Sequence, residues 1–399
     1  MATVPINTIA DAREAYRSPD LRQGLYDAGA VVMADVLVNL HGEEHKRRRR
    51  VENRLFRRET FLHYENELFP EAIERTLAPY ARRGHAELVH VGHELMLNLA
   101  ALTAGVDLPE GTEEEWQRLY DYTMSFIEGA TLAHSTLDHG ERSRAIHEQL
   151  VRWDEEFLQP SVARRRALIA RVDAGEVEES DLPRDVVTVL LRHHDALGLR
   201  PDILAREVAF MLLAAAHTSA TAFVRAIDAI LTWTEQHPED VARVRTDPLF
   251  VQRCVHETLR LHPSSPTGVR RALADVTLKS GIRIAEGDEV VIDLIAVNTN
   301  EAVFGPDAAS FNPYRDIPVG VGPFGLSFAS GMHVCIGQDL AAGVVPTGED
   351  PTGHLLGLVS VAVRWAFDHG VRRDPHVEPE RDTSTKRPYW KTYPVLLGA

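Results

Sequence analysis

Helical periodicity over much of the chain is the feature that most limits the fold. From about residue 40 to residue 260, apolar residues recur at spacings of three and four, with charged residues between them. This is the period of amphipathic α-helices. Short breaks with Pro, Gly or Asp, such as "DAGEVEESDLPRD" and "LGLRPD", divide the region. The pattern therefore predicts a mainly helical protein.

The later part of the chain has a different residue pattern. Between 268 and 295, β-branched runs alternate with turn residues and predict short antiparallel strands. A long segment rich in Pro, Gly, Asn and Phe then runs to Ser330, and "YWKTYPVLL" predicts a final strand. Coil of that length inside a compact domain is usually functional. With no internal repeat and no clear linker, we expect residues 1–399 to form one large domain, mainly α with small β-sheets.

Composition excludes several classes of protein. The 399 residues carry a formal net charge of -16, which argues against a general nucleic-acid binder. The chain has two cysteines, too few for a disulfide framework, so a reducing cytoplasm is expected. The N-terminus has no apolar signal-peptide core, and the apolar stretches at 208–216 and 355–367 are short for a bilayer. We expect a soluble cytoplasmic protein.

One of the two cysteines stands in an unusual loop, "FASGMHVCIG", residues 328–337. A lone cysteine is most often a small buried apolar residue, and that reading stays open for Cys335. Zinc needs several ligands, covalent haem attachment needs C-x-x-C-H, and a nucleophile needs a placed base, for which His333 is a poor candidate. A thiolate ligand to haem iron accounts for every fixed residue of the loop.

In that interpretation each residue near Cys335 in the loop has a specific role. Gly331 and Gly337 let the backbone turn and approach a flat macrocycle closely. Phe328 shields the sulfur from water, and His333 reaches a haem propionate. A helix opening at Ile336 would lower the pKa of the thiol.

The pattern F-x-x-G-x-H-x-C-x-G resembles the haem-binding loop of the cytochrome P450 family. The resemblance implies that family's fold, haem b (iron protoporphyrin IX) as cofactor and Cys335 as the axial ligand of the iron. Further motifs in the family's order extend the resemblance over roughly residues 40 to 395.

Two of these motifs concern the scaffold. "CVHETLRLHP" holds Glu257 and Arg260 at helical i, i+3 spacing, and "FNPYR" supplies Arg315. As an isolated instance, such a spacing is usually a surface pair, and it recurs at Glu141 and Arg144. The resemblance implies that Glu257, Arg260 and Arg315 form a buried charged network that fixes the scaffold under the haem.

Two other motifs concern the propionates. "RRALAD" matches the family's R-x-A-x-x-D at Arg270, which would bind a propionate while Arg271 points away. "HGEEHKRRRR" matches at His45 and Arg49, with His41 and Glu43 replacing the family's Asp and Pro. A solvated basic helix face is the alternative for this segment, and both readings can hold together.

The apolar stretch 206–233 resembles the family's oxygen-handling helix. Aligned on Thr218, the family's glycine and acid become Ala215 and His217. The resemblance implies that Thr218, with His217 in place of the acid, manages proton delivery. A core or substrate-contact histidine is the alternative for His217. The candidate substrate-facing positions are Ala214, Ala215, 264–269 and the loop near Tyr389 and Trp390.

Two departures from the family pattern are evident. Few residues precede His45, so the N-terminal part of the fold should be shortened. Two prolines and three glycines in 343–353 should interrupt a helix that the family continues.

The resemblance implies a haem-thiolate monooxygenase that takes two electrons and O₂ and inserts one oxygen atom into a mostly apolar small molecule. Because no flavin or ferredoxin motif is fused to the chain, electrons would come from a separate ferredoxin and ferredoxin reductase. A concentration of arginines from 46 to 58 would steer that acidic partner. A peroxide-dependent or rearranging haem-thiolate enzyme, and a catalytically silent haem protein, remain the alternatives.

Overall fold

The helices follow one another through most of the chain. The computed structural model describes residues 2–132, 138–348, 350–383, 385 and 387–398. Within these residues, the helices are α1 (Ile9–Arg17), α2 (Ala30–Met33), α3 (Gly42–Glu52), α4 (Arg58–His63), α5 (Phe69–Arg83), α6 (Leu88–Ala104), α7 (Glu113–Ala130), α8 (His139–Trp153), α9 (Gln159–Asp173), α10 (Val186–Arg192), α11 (His194–Leu197), α12 (Pro201–Gln236), α13 (Val241–Thr246), α14 (Pro248–Leu261), α15 (Leu294–Asn298), α16 (Glu301–Phe304), α17 (Gln338–Ala342) and α18 (Leu358–Asp368).

The strands are short and form small sheets at the edge of the helices. They are β1 (Thr3–Ile6), β2 (Leu21–Gln23), β3 (His85–Glu87), β4 (Thr267–Ala272), β5 (Val276–Thr277), β6 (Arg283–Ile284), β7 (Glu289–Asp293), β8 (Arg372–Arg373), β9 (Glu380–Arg381), β10 (Trp390–Thr392) and β11 (Pro394–Leu396). The largest sheet has the order β1-β7-β4-β2, in which only β1 and β7 are parallel. A second sheet has the order β3-β11-β8. The predicted class, mainly α with small sheets, is confirmed.

Helix α12 is the centre of the helical part. Its 36 residues begin with a proline in the first turn, where the missing N–H costs nothing. It is long and apolar enough to cross a membrane, but 67% of its most apolar window is buried against the rest of the protein. It packs along α6, α14 and α18, and so forms one wall of the interior.

Asn298 helps to hold in place the long segment predicted as coil between 297 and 330, in which residues 301–304 form α16. Asn298, at the end of α15, donates to the Arg260 carbonyl at 3.0 Å and to Ser327 Oγ at 2.9 Å. Its Oδ1 accepts from Leu326 N at 2.8 Å. Gly325 passes so close, with φ +61°, that a Cβ there would lie 2.2 Å from this oxygen. The coil is thus fixed two residues before the cysteine loop begins.

A buried charged network lies under the same coil. Both carboxylate oxygens of Glu257 bind Arg260, each at 2.7 Å, and one of them also accepts from Arg315 Nε at 3.1 Å. Arg260 is fully buried and donates further to the carbonyls of Asn298 and Ala308, both at 2.7 Å. The three residues therefore join α14 to the coil, whereas Glu141 is exposed on α8.

One expectation about the helix after the cysteine loop needs correction. The helix after the cysteine begins at Gln338 rather than Ile336, and it has five residues. The helix ends before Gly343, which adopts φ +72°. Only glycine fits this position, because a side chain there would collide with Gln252 and with the backbone of Leu355 and Leu356. The described residues 343–348 and 350–357 carry no helix, in agreement with the loop predicted for 343–353.

We predict that Glu257→Ala destabilises the fold strongly. The change leaves buried Arg260 without its carboxylate and Arg315 with Asp307 alone, and breaking a buried ion pair costs roughly 3–5 kcal/mol. Denaturant unfolding should show the loss directly. Glu141→Ala, at the same spacing from an arginine but exposed, is the matched control and should change little. Equal and mild effects in both variants would contradict the structural role of Glu257.

Candidate functional site

An internal cavity of about 300 Å³ lies against one side of α12. Its wall combines α12 with the cysteine loop, β4 and the start of α3. Most predicted site residues line it, namely Cys335, Phe328, Gly337, His333, Arg270, His45, Arg49 and Thr218. Ala214 and Ala215 of α12 line it as well, together with Ser264, Ser265, Thr267 and Gly268. Sequence positions almost 300 residues apart are thus brought to one site.

Cys335 presents its sulfur to this cavity. Its backbone N–H closes the loop by donating to the Phe328 carbonyl at 2.9 Å. The Phe328 ring meets Phe324 edge-on, with ring centroids 4.8 Å apart. Burial raises the pKa of the Cys335 thiol, and the Gly337 N–H and Arg49 only partly oppose this. The expected lowering of the pKa is therefore wrong for the free thiol, because the short helix that follows cannot offset desolvation.

Glycine occupies positions 331 and 337 of the loop for different structural reasons. Gly331 adopts φ +71°, and a Cβ there would lie 2.6 Å from the Tyr16 carbonyl oxygen of α1. It does not line the cavity, so its close approach is to the protein's own backbone rather than to a ligand. Gly337 does line the cavity, and a Cβ there would meet no protein atom. Open space beside the sulfur at Gly337 suits a flat ligand.

The cavity also carries an uncompensated positive charge at Arg270. This side chain is 2% exposed, donates to Gln23 Oε1 at 2.6 Å and to the Val269 carbonyl at 2.9 Å, and lies over the Tyr16 ring. Among the described residues it has no carboxylate partner within 4 Å. Arg271 instead faces Glu289 and Asp27. A buried guanidinium without an anion is costly, so the site fits an anionic ligand.

Next to it are two imidazoles without hydrogen bonds. The rings of His45 and His333 are 4.4 Å apart, and neither nitrogen of His45 nor Nε2 of His333 has a partner. Burial lowers the pKa of His45 to about 4 and of His333 to about 3, and nearby cationic groups add to the effect. Arg49 lies close by and donates to the Val334 carbonyl at 2.9 Å. These groups fit the carboxylates of a haem, with Cys335 at the iron.

On α12 the two predicted catalytic residues have different positions. Thr218 faces the cavity, and its hydroxyl donates to the Ala214 carbonyl at 2.7 Å. His217 lies behind the lining, with its ring 5.8 Å from that of His93 and 5.3 Å from that of Tyr389. Burial, and then His93, lower the pKa of His217 to about 3, and both its ring nitrogens lack partners. Tyr389 and Trp390 also lie outside the lining.

The basic segment around α3 agrees with the expectation that several arginines beside Arg49 reach solvent, except at Arg48. Arg47, Arg50, Arg54, Arg57 and Arg58 are exposed. Arg48, however, is buried in an ion pair with Glu207 of α12 at 2.5 Å. Glu52 is buried nearby, and burial followed by Glu207 raises its pKa well above the ordinary value. Arg48 therefore belongs to the core, because two buried carboxyl groups require its charge.

Other residues of the site carry no sequence signal. Gln23 and Tyr16, which contact Arg270, are more than 240 residues away along the chain. Tyr26 lines the cavity from the segment between β2 and α2. No spacing rule connects such positions, so only the folded chain reveals them.

Comparisons with known proteins agree with this geometry. The family model described as Cytochrome P450 matches residues 155–343. Pulcherriminic acid synthase of Bacillus subtilis is 25% identical over 347 residues, which cover 84% of this chain and 78% of that protein. Cytochrome P450 monooxygenase FPY7 of Fusarium mangiferae is 25% identical over 58% of this chain. That match spans 49% of FPY7, and two further curated relatives are matched over 25% and 19% of their length.

Solved structures share the fold at low identity. CalO2 aligns with a TM-score of 0.74 at 19% identity, covering 98% of this chain and 90% of that one. Cytochrome P450 260B1 of Sorangium cellulosum aligns with a TM-score of 0.73 at 20% identity, covering 99% and 90%. The matched family model, the relatives that extend over most of the chain and the shared fold together support a cytochrome P450.

Proposed function

We propose that the protein is a haem-thiolate monooxygenase acting on a mostly apolar small molecule. The observation that carries the proposal is the position of Cys335, whose sulfur enters the same cavity as Thr218 of α12. Haem b, when bound, would supply the activation of O₂ and the insertion of one of its atoms into the substrate. The largely apolar lining supports an apolar substrate, and the burial of α12 supports a cytoplasmic location.

The chain's own residues would bind and orient the cofactor. Cys335 would hold the haem iron through its sulfur, and Phe328 would screen that sulfur from water. Arg270, Arg49, His45 and His333 would hold the propionates, which would give the unpartnered groups described above their hydrogen bonds. The Glu257 network and Asn298 would keep the loop at a fixed height beneath the macrocycle.

Thr218 is the group best placed to hold a proton donor in the cavity. Its hydroxyl already donates to Ala214, so it can accept a further hydrogen bond from water or substrate. His217 would relay protons from behind the lining, since a neutral imidazole offers a donor and an acceptor together.

A second candidate is a peroxide-dependent or rearranging haem-thiolate enzyme. No Asp or Glu is among the described residues that line the cavity. Peroxide brings its own protons and electrons, so such an enzyme has less need of an acid on α12. Turnover with peroxide but without a redox partner would favour this candidate, while CO binding with no turnover by any donor would indicate a silent haem protein.

The axial ligand is tested by spectroscopy. We expect the reduced protein with CO to show the red-shifted Soret band of thiolate-ligated haem, since the thiolate donates electron density to iron. Cys335→Ala should abolish this band. Cys254→Ala is the control and should keep it, because Cys254 is buried within α14. A histidine-type band in the unaltered protein would end the proposal.

Proton relay is tested at His217. His217→Ala should slow product formation and divert electrons to peroxide, while CO binding survives. Because the pKa of His217 is about 3, its contribution should show no pH step between about pH 5 and 8. His93→Ala is the matched control, being an equally buried neighbour. Similar coupling in both variants would assign His217 to packing.

We also propose that a separate acidic ferredoxin, supplied by its reductase, donates the electrons and docks near α3. Arg49 links this helix to the carbonyl next to Cys335, and exposed arginines surround it. The association rate should fall as the Debye length shortens from about 30 Å at 0.01 M salt to about 8 Å at 0.15 M.

The charge reversal that tests this docking site avoids the buried Arg48. Arg47→Glu with Arg50→Glu should flatten the salt dependence and leave the CO spectrum intact. Arg144→Glu, on the exposed surface of α8, is the control. Indifference of the rate to both salt and charge reversal would place the docking site elsewhere.

A further inference from the structure

A buried positive cluster lies directly behind one end of the cavity. Arg225 of α12 is 7% exposed and Arg387 is 8% exposed. Arg225 donates to the carbonyls of His262, Pro263 and Pro388 at 2.9–3.2 Å, so its hydrogen bonds are satisfied. Among the described residues, the Arg387 guanidinium donates to the Tyr389 hydroxyl alone, at 2.8 Å, and its buried Nε has no partner. Among the described residues, neither guanidinium has a carboxylate within 4 Å.

The surroundings add to this positive potential. Burial lowers the pKa of Arg225 to about 10, and the neighbouring Arg381 and Arg387 act in the same direction. His217 is adjacent and is kept neutral by burial, by His93 and by these two buried arginines. A buried charge without a counter-ion costs several kcal/mol in general. The presence of such a buried charge at Arg387 indicates that an anion completes the site.

The cluster is one residue away from the cavity wall. The Tyr389 hydroxyl, which accepts from Arg387, donates to the Ser264 carbonyl at 2.8 Å. The Ser264 hydroxyl in turn donates to the Thr218 carbonyl at 2.9 Å, and both residues line the cavity. Tyr26 lines the same cavity; burial raises its pKa, and Arg387 is the strongest of the charges that oppose this.

The missing anion must come from a ligand. The described lining residues include no Asp or Glu, and Arg270, Arg49, His45 and His333 form a separate group around the cysteine loop. A guanidinium with a free Nε and an adjacent Nη presents a planar fork that matches a carboxylate. Apart from Thr218 and Ser219, the residues of α12 that line the cavity are apolar, so the rest of the ligand should be mainly hydrocarbon in character.

We propose that the substrate is an organic carboxylic acid whose carboxylate is bound by Arg387, with the Tyr389 hydroxyl beside it, at the end of the cavity bounded by Tyr26 and Ser264. This inference rests on the proposed function and narrows its substrate class. Arg387 would turn from Tyr389 toward the cavity when the acid enters. Its role is recognition and orientation, and the apolar part of the acid would extend along α12 toward Thr218.

The experiment compares acids with their own esters. The haem-loaded protein is titrated by calorimetry and by the Soret shift with a panel of aliphatic and aromatic carboxylic acids, each paired with its methyl ester. In the unaltered protein the tightest acid should bind roughly 10- to 100-fold more tightly than its ester, as expected for a hydrogen bond to a charged group. Arg387→Gln should remove this preference and leave ester affinity unchanged.

The controls separate this inference from the proposed function. Arg381→Gln alters an exposed arginine of the same hairpin and should retain the preference for acids. Arg387→Lys, which keeps the charge, should retain part of it. The CO spectrum of each sample reports the thiolate-ligated haem independently of any acid. The inference is overturned if no acid binds better than its ester, or if Arg387→Gln keeps the preference while the CO spectrum is normal.

Discussion

The site depends on the buried ion pairs that Glu257 forms with Arg260 and Arg315. The coil between α16 and the cysteine loop, residues 305–327, has no ladder of backbone hydrogen bonds to define its path, so its shape must come from side chains. Arg260 and Arg315 supply this by donating to several of the coil's carbonyls while Glu257 neutralises them. The geometry is specific because each guanidinium donates in a fixed fork. These ion pairs and hydrogen bonds therefore set the position of the cysteine loop.

Motifs that act within a few residues could be predicted from the sequence. The loop around Cys335, the pairing of Glu257 with Arg260 and the separation of Arg270 from Arg271 depend on local spacing and on a known order of motifs. The strands between 268 and 295 were readable for the same reason, since alternation and turn residues are local signals. The interrupted helix after Ala342 was evident from its prolines and glycines.

Properties set by the three-dimensional surroundings could not be predicted. Arg48 looked like one of several solvated arginines, yet Glu207, 159 residues away, draws it into the core. Nothing in "AAAHTS" indicates that His217 turns toward His93 while Thr218 turns toward the cavity. The pKa of the Cys335 thiol depends on burial by the whole fold, and a helix start in the sequence says nothing of that. In each case the deciding partner lies on another element.

The contact between Gly331 and Tyr16 has a consequence for the order in which the protein matures. Arg17 also reaches Ser330 Oγ at 3.3 Å, across 313 positions of the chain, so α1 and the cysteine loop support each other from opposite ends of the sequence. Contacts of such separation form late, since a long loop must close before they stabilise anything. During synthesis α1 leaves the ribosome long before its partner exists. Cys335 can therefore take its final position only when the chain is almost complete, so a haem held by this residue would bind among the last events of folding.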